Sequence, residues 1–386
     1  MLRFLHLADL HLGAEPSYLG DIASQRSKDF NNAFERAVEF ALASKNNIHL
    51  VVIAGDFFDH HNPSQDTLRF ATRQLTRLRQ ANIPVILAPG NHDSISHPAS
   101  VYTNTSAEIK NLVHLLDSPN VERSLVLELN GEAVHIYGMA WDVNRSIPPF
   151  DEFHTVQEDG LHIVVIHGTL DRAHYIEAHK RNVPLTLENL ANSKMDYIAL
   201  GHIHSQQAHQ VNSIPVVYPG TLEGKRFVAG EEGQRNLVVV ELEKGRKAKI
   251  ELLPWNQRVL QKGQLDLDTE VIETEDELVD LIRTRFSDPN KLLRLEVSGT
   301  PSFVVNVENL KNRLSGDFFW CEFRDQTSIF NSVLVDDWAG EETIRGLLVR
   351  KLRKMVDETD NPEEQQKISL ALRTAFQVLN STGGRG

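Results

Sequence analysis

A chain of 386 residues, 41% hydrophobic and 24% charged, has the composition of a globular protein with room for two or three domains. Its net charge of −13 counts against nucleic-acid binding through a broad basic surface, although bound divalent cations would offset part of it. The lone Cys321 excludes an intrachain disulfide framework, MLRFLHLADLHL lacks a basic leader, and no apolar run nears the ~20 residues that span a bilayer. A cytoplasmic protein without membrane contact is therefore expected.

The first two-thirds alternate β-branched runs with amphipathic stretches, the pattern of a layered α/β (α+β) domain. Strands are predicted at 3–9, 49–56, 84–90, 134–140, 161–168, 196–202, 215–220 and 236–243. Their near-continuous apolar character predicts sheets covered on both faces. Between the first two strands Phe30, Phe34, Ala37, Val38 and Ala41 recur at helical spacing. Ser64, after Pro63, caps a second helix that turns Leu68, Ala71, Leu75 and Leu78 inward. Near 254–262 the pattern changes. Beyond it, ETEDELVDLIRTRF and NVENLKNRLSG read as helices, and LLRLEVSG and FFWCEFRD as strands. The stretch from about 341 to 380 reads as helical, with Asn361 and Pro362 at a helix start and Ile368, Leu372, Phe376 and Leu379 on one face. The expected division is 1–255, 256–338 and 339–386.

Polar residues collect where the predicted strands end. The first strand closes on Asp9-Leu10-His11, the second on Gly55-Asp56, and the third on Gly90-Asn91-His92-Asp93. Later strands close on His167-Gly168 and on Gly201-His202-Ile203-His204. Ligands of α/β sheets sit at the carboxyl ends of strands, so these residues are expected to converge. In an extended chain Asp9 and His11 share a side, as do His202 and His204. Two carboxylates, an amide and four imidazoles with no thiolate are too many ligands for one zinc and too rich in nitrogen for calcium. They suit two octahedral ions that share a carboxylate, with Mn²⁺ or Fe²⁺ favoured over Mg²⁺. Asn91 would then complete a coordination shell without adding charge. His6, His49, His135 and His162 read instead as ordinary core or surface histidines.

The series D-x-H, G-D, G-N-H-D, H and G-H-x-H resembles the motifs of the calcineurin-like metallophosphoesterases. LHLADLHLG, AGDFFDHHNPS and YPGTLEGKRF resemble, within that superfamily, the SbcD-type double-strand-break repair nucleases, over about residues 1–250. The resemblance implies a β-sandwich flanked by helices, a smaller α/β capping domain and C-terminal helices. It implies one metal on Asp9, His11, Asp56 and His204 and another on Asp56, Asn91, His167 and His202, with Asp56 shared. His92 matches the histidine that faces the scissile phosphate. Some relatives carry a further histidine where this chain has Asp59, which would either orient His92 through a ring N–H or serve as a turn residue.

The activity so implied is two-metal phosphodiester hydrolysis of DNA by a repair exonuclease or endonuclease, with manganese favoured and iron or magnesium as alternatives. The competing readings are a phosphodiesterase or phosphatase for a nucleotide or other small phosphoester, and a scaffold without catalysis. No ligand is missing, which disfavours the scaffold. Pro89 before Gly90 and Asp93 after His92 disfavour a phosphoprotein phosphatase. The expected partners are DNA, an SbcC-like coiled-coil ATPase docked on the terminal helices, and a second copy of the chain through the helix with Leu68 to Leu78 or the segment from Tyr102 to Leu116. No GxxxxGK[ST] signature occurs, so ATP-driven steps belong to another subunit. Lys225, Arg226 and the second-helix arginines (Arg69, Arg73 and Arg77 in a row at i, i+4 and i+8, with Arg79 off it) either track phosphates or, for the row, line a solvated helix face.

Overall fold

Each of the eight predicted strands forms, and each stops one or two residues before its predicted end. At the first three strands the polar residues that close the apolar run, beginning at Asp9, Asp56 and Asn91, lie beyond the hydrogen-bonded ladder. The computed structural model describes residues 1–104, 107–141, 158–171, 184–328, 333–361, 364–365, 367–372 and 374–375. Pro362, Phe376 and Leu379 lie outside the described residues.

The chain divides into two compact units, Met1–Arg258 and Val259–Gly386. The first begins with β1 (Leu2–Leu7), α1 (Ala23–Leu42), β2 (Leu50–Ala54), α2 (Gln65–Gln80) and β3 (Val85–Ala88). Two short helices, α3 (Val101–Asn104) and α4 (Ala107–Lys110), precede β4 (His114–Leu115), β5 (Glu122–Leu129), β6 (Glu132–Gly138) and β7 (Leu161–His167). A ribbon of β8 (Thr169–Asp171) and β9 (Pro184–Thr186) leads to α5 (Leu187–Asn192) and β10 (Tyr197–Gly201). The unit closes with β11 (Gln207–Val211), β12 (Ile214–Tyr218), β13 (Asn236–Leu242) and β14 (Lys249–Pro254).

These strands form two six-stranded sheets, ordered β14-β13-β1-β2-β3-β4 and β11-β12-β10-β7-β6-β5. Strands β1 to β4 are mutually parallel, as are β6, β7, β10 and β12, while β13, β14, β11 and β5 run antiparallel to their neighbours. Alternate side chains of β1 and β2 face the second sheet: Phe4, Ala8, Leu50 and Val52 pack with Ile136, Ile163, Val165 and Ala199. The other face of the first sheet, with Leu5, Val51 and Ile53, is covered by Phe34 and Val38 of α1 and Leu75 and Leu78 of α2. The Ser64 cap is present, with its hydroxyl accepting from Thr67 N at 3.2 Å. Covered on both faces, the inner strands read as continuous apolar runs.

In the second unit β15 (Val259–Asp266), α6 (Glu275–Phe286), β16 (Asp288–Gly299), α7 (Val307–Arg313) and β17 (Phe318–Thr327) make a parallel sheet ordered β15-β16-β17. Helix α6 opens on a capping box between Thr274 and Glu277, and buries Leu278, Val279 and Ile282 against Leu293 and Leu295. Helices α8 (Val333–Ala339) and α9 (Ile344–Asp357) enclose Trp338 and Val349 with Leu372. No described helix is long and apolar enough to cross a membrane.

Candidate metal centre

The parallel strands β1, β2 and β3 of one sheet and β7 and β10 of the other carry their polar endings to the same edge of the sandwich. Glycine permits this pinch. A Cβ at Gly201 would lie 1.7 Å from the Ala54 carbonyl oxygen, and one at Gly90 would lie 2.2 Å from Asp56 Oδ1. Past the strands, the first two loops stay paired: Asp9 N donates to Gly55 O, His11 N to Asp56 O and Leu12 N to Phe57 O, each at 3.0 Å.

The alternation argument does not hold at these ends. Asp9 (φ 52°), His11 (φ 46°), Asp56 (φ 49°) and His202 (φ 93°) are all left-handed rather than extended. Such φ values are uncommon for non-glycine residues and concentrate at functional sites. The side chains converge through these turns, not through the pleat.

All seven residues expected to bind metal lie at this edge. Asp9, His11 and His204 offer ligand atoms within 4.8 Å of one another, and so do Asp9, Asp56 and His167, and His11, Asp56 and His92. Asp56 is central. Its Oδ1 accepts His92 N at 2.9 Å, while Oδ2 lies 3.8 Å from His11 Nε2 and 3.5 Å from His167 Nε2. Asn91 Oδ1 lies 3.0 Å from both His167 Nε2 and His202 Nδ1, so the amide joins His202 to the cluster.

The ring tautomers test whether this donor set suits cations. His167 Nδ1 donates to Ala54 O at 2.9 Å and His204 Nδ1 to Glu231 Oε1 at 2.8 Å, while His11 Nδ1 stands 3.0 Å from Asp59 Oδ1. Carbonyl and carboxylate oxygens only accept, so each of these rings keeps its proton on Nδ1 and presents a bare Nε2. Bare acceptors then face each other: His11 Nε2 is 3.2 Å from His204 Nε2, and His167 Nε2 is 3.0 Å from Asn91 Oδ1. Such pairs repel unless a cation or a proton lies between them. The residues fit divalent metal.

The electrostatics agree. Burial alone would raise the Asp56 carboxyl, but His167, His11 and His92 around it hold it down at about 2. Burial, with His167 adding to it, lowers His202 to about 3 and keeps that ring neutral, as a ligand must be. Against the pull of burial, Asp56 raises His167 and Glu231 raises His204. Raised in this way, the two rings hold a second proton more readily than a free imidazole, and a cation bound at Nε2 would take that proton's place.

Asp59 meets His11 through its side chain and His92 through its main chain. Its carboxylate faces His11 and forms an ion pair with Lys225, whereas His92 Nδ1 is 3.9 Å from Asp59 Oδ1 and donates instead to the Asp59 backbone carbonyl at 2.9 Å. Asp59 therefore orients His92 through its main chain. Lys225, read as a DNA contact, is buried in that ion pair, while Arg226 is exposed. The arginines of α2 have partners within the chain: Arg69 pairs with Asp66, Arg73 and Arg77 lie 3.7 Å from Glu35, and Arg79 bonds the Asn111 carbonyl. His6, His49, His135 and His162 make their hydrogen bonds away from the centre, His6 Nδ1 with the Tyr197 hydroxyl at 3.0 Å and His162 Nδ1 with that of Tyr137 at 2.9 Å.

Two residues carry roles that the motif pattern did not reveal. Glu231 backs His204, and nothing local in GEEGQR marks it. Asp93, wholly buried, accepts from Gly90 N at 2.7 Å, Phe57 N at 2.9 Å, Phe58 N at 3.2 Å and Tyr102 Oη at 2.7 Å. It clasps the loop after β2 to the loop after β3. Burial and the nearby Asp56 push its carboxyl up to about 6 in spite of those donors.

The family model described as calcineurin-like phosphoesterase matches residues 2–206, more than half of the chain and every candidate ligand. The chain belongs to that family. Among curated relatives, it is 30% identical over 248 residues to an uncharacterized metallophosphoesterase, YhaO, of Bacillus subtilis, a match covering 63% of this chain and 58% of that protein. It is 30% identical over 236 residues to the DNA double-strand break repair protein Mre11 of Archaeoglobus fulgidus, covering 58% of this chain and 50% of that one. For the protein of the same name from Methanosarcina mazei the identity is 26% over 320 residues, covering 81% and 48%. The chain thus spans about half the length of these relatives.

Proposed function

We propose that the protein is a two-metal phosphodiesterase acting on DNA, a repair-type exonuclease or endonuclease. The observation that carries the catalytic part is the facing of bare acceptor atoms on both sides of Asp56, a donor set arranged for two cations. Asp9, His11, Asp56 and His204 would hold one, and Asp56, Asn91, His167 and His202 the other. When bound, the metals supply Lewis-acid polarisation of a phosphoryl oxygen and an activated water. The chain's own contribution is positional. Glu231, Asp59 and the Ala54 carbonyl fix three rings, and the Asp93 clasp fixes the loop that carries Asn91 and His92. His92, half-buried with its Nδ1 proton committed to the Asp59 carbonyl, presents Nε2, which when protonated would donate to a phosphoryl oxygen or protonate the leaving oxygen.

DNA as the substrate is supported by relatives whose names state double-strand break repair. The same reading supplies an SbcC-like coiled-coil ATPase and a second copy of the chain as partners. It also supplies a division at 1–255, 256–338 and 339–386 into nuclease, capping and ATPase-docking regions. Exposed Ile344, Leu347 and Leu370 in the last region support a docking face.

The test is hydrolysis of linear and hairpin DNA beside bis-p-nitrophenyl phosphate, with Mn²⁺, with Mg²⁺ and with chelator. We expect cleavage of both substrates, faster with Mn²⁺ because imidazole ligands favour it, and none with chelator. Cleavage of the small diester alone would replace DNA with a small phosphoester as substrate. Equal rates in the two metals would contradict the ligand assignment.

A further inference from the structure

The loop between β12 and β13, residues 219–235, contributes none of the candidate ligands, yet it governs the surroundings of two. Glu231 Oε1 accepts from His204 Nδ1 at 2.8 Å, while Oε2 accepts from Lys225 N at 2.5 Å and Arg226 N at 2.9 Å. The carboxylate is thereby fixed from both ends. Lys225 sends its Nζ to Asp59, whose Oδ1 stands 3.0 Å from His11 Nδ1. The loop is itself anchored by buried cations. Arg26 donates to Glu223 at 2.7 Å and to Gly224 O at 2.5 Å, and Arg235 donates to Gly230 O at 2.6 Å, to Thr221 O at 3.2 Å and to the His204 carbonyl.

The two halves of the centre are therefore backed unequally. His11 and His204 have carboxylates behind their rings, whereas His167 has the neutral Ala54 carbonyl. A carboxylate behind a ligating ring fixes its tautomer and makes the facing nitrogen a stronger donor than a carbonyl does, and removal of such a partner costs 10–100-fold in metal affinity. Lys225 balances the charge of Asp59 and holds it against His11 rather than His92.

We propose that Glu231 and the Lys225–Asp59 pair are positioning residues that make the Asp9/His11/His204 half the tighter of two unequal metal sites. The proposal rests on the two-metal reading above. It is tested by titrating the metal-free full chain with Mn²⁺ while following the free-ion electron paramagnetic resonance signal, which needs no turnover. The wild type should bind two equivalents of unequal affinity. Glu231→Gln should weaken the tighter equivalent about 10–100-fold and leave the weaker one unchanged. Asp59→Asn should act on the same equivalent, and Asn91→Ala on the other, so that Glu231→Gln with Asn91→Ala weakens both. Thermal melts report folding, and Asp59→Asn carries the test if Glu231→Gln does not fold. Loss from the weaker equivalent, from both alike or from neither would overturn the proposal while leaving the two-metal reading in place. A wild type that takes up no Mn²⁺ would overturn both.

Discussion

His92 and Asn91 are adjacent in sequence and differ in what they touch. Asn91 Oδ1 faces two imidazoles, His167 and His202, and carries no charge, so it suits a coordination shell already occupied by carboxylates. His92 approaches the cluster edgewise, its ring 4.7 Å from that of His11 at 85°, with Nδ1 tied to a carbonyl. Replacement His92→Gln should therefore retain both metal equivalents and lower turnover by about 10²–10⁴-fold, the usual contribution of a positioned acid. Metal content and single-turnover rate measured on the same preparation decide the matter. Loss of a metal equivalent with full turnover after metal is restored would make His92 a ligand instead.

The sandwich hides a polar contact among its strands. His6 of β1 points between the sheets and meets the Tyr197 hydroxyl of β10 at 3.0 Å in a wholly buried setting. Burial depresses the His6 ring to about 3 from an ordinary value of 6.5, so the folded protein holds it neutral while the unfolded chain protonates it below pH 6.5. A lowered base makes stability fall as pH drops from 6.5 toward 3, by about 1.4 kcal/mol per pH unit. His6→Gln should remove that slope. Urea unfolding of the two proteins should show the variant recovering roughly 2 kcal/mol relative to wild type between pH 6.5 and pH 5. Parallel stability curves would show that His6 is not held neutral. The sheets also explain which strands were hidden in sequence. β4, β5, β11, β14 and β15 all lie at sheet edges. An edge strand such as β15, VLQKGQLD, alternates apolar with polar residues and even accommodates Gly263, whereas the inner strands are covered on both faces and read as unbroken apolar runs.

At the scale of the molecule, every candidate ligand and every residue that backs one falls within Met1–Arg258, which has its own cores between the sheets and beneath α1 and α2. A protein of residues 1–258 should fold, take up Mn²⁺ and hydrolyse bis-p-nitrophenyl phosphate, with DNA cleavage reduced because the proposed capping region is gone. Melting curves, metal content and the two assays give the result; a truncated protein that folds but binds no metal would mean that the centre is completed from beyond residue 258.

The sequence alone determined the candidate metal-binding residue types and the strand endings that bring them together, because a strand end is marked locally by an apolar run meeting Gly, Asp, Asn or His. It determined the inner strands and the first two helices for the same reason of local periodicity. The tertiary structure decided how the ligands point, since left-handed turns at Asp9, His11, Asp56 and His202 replaced the expected extended pleat. It also decided that Asp59 serves His11, that Lys225 is buried and that Glu231 backs His204, through contacts that span 27 to 214 residues of chain. A hydrogen bond across such a separation leaves no periodic trace in sequence. Only the packing of the 219–235 loop against the strand ends brings those groups within reach.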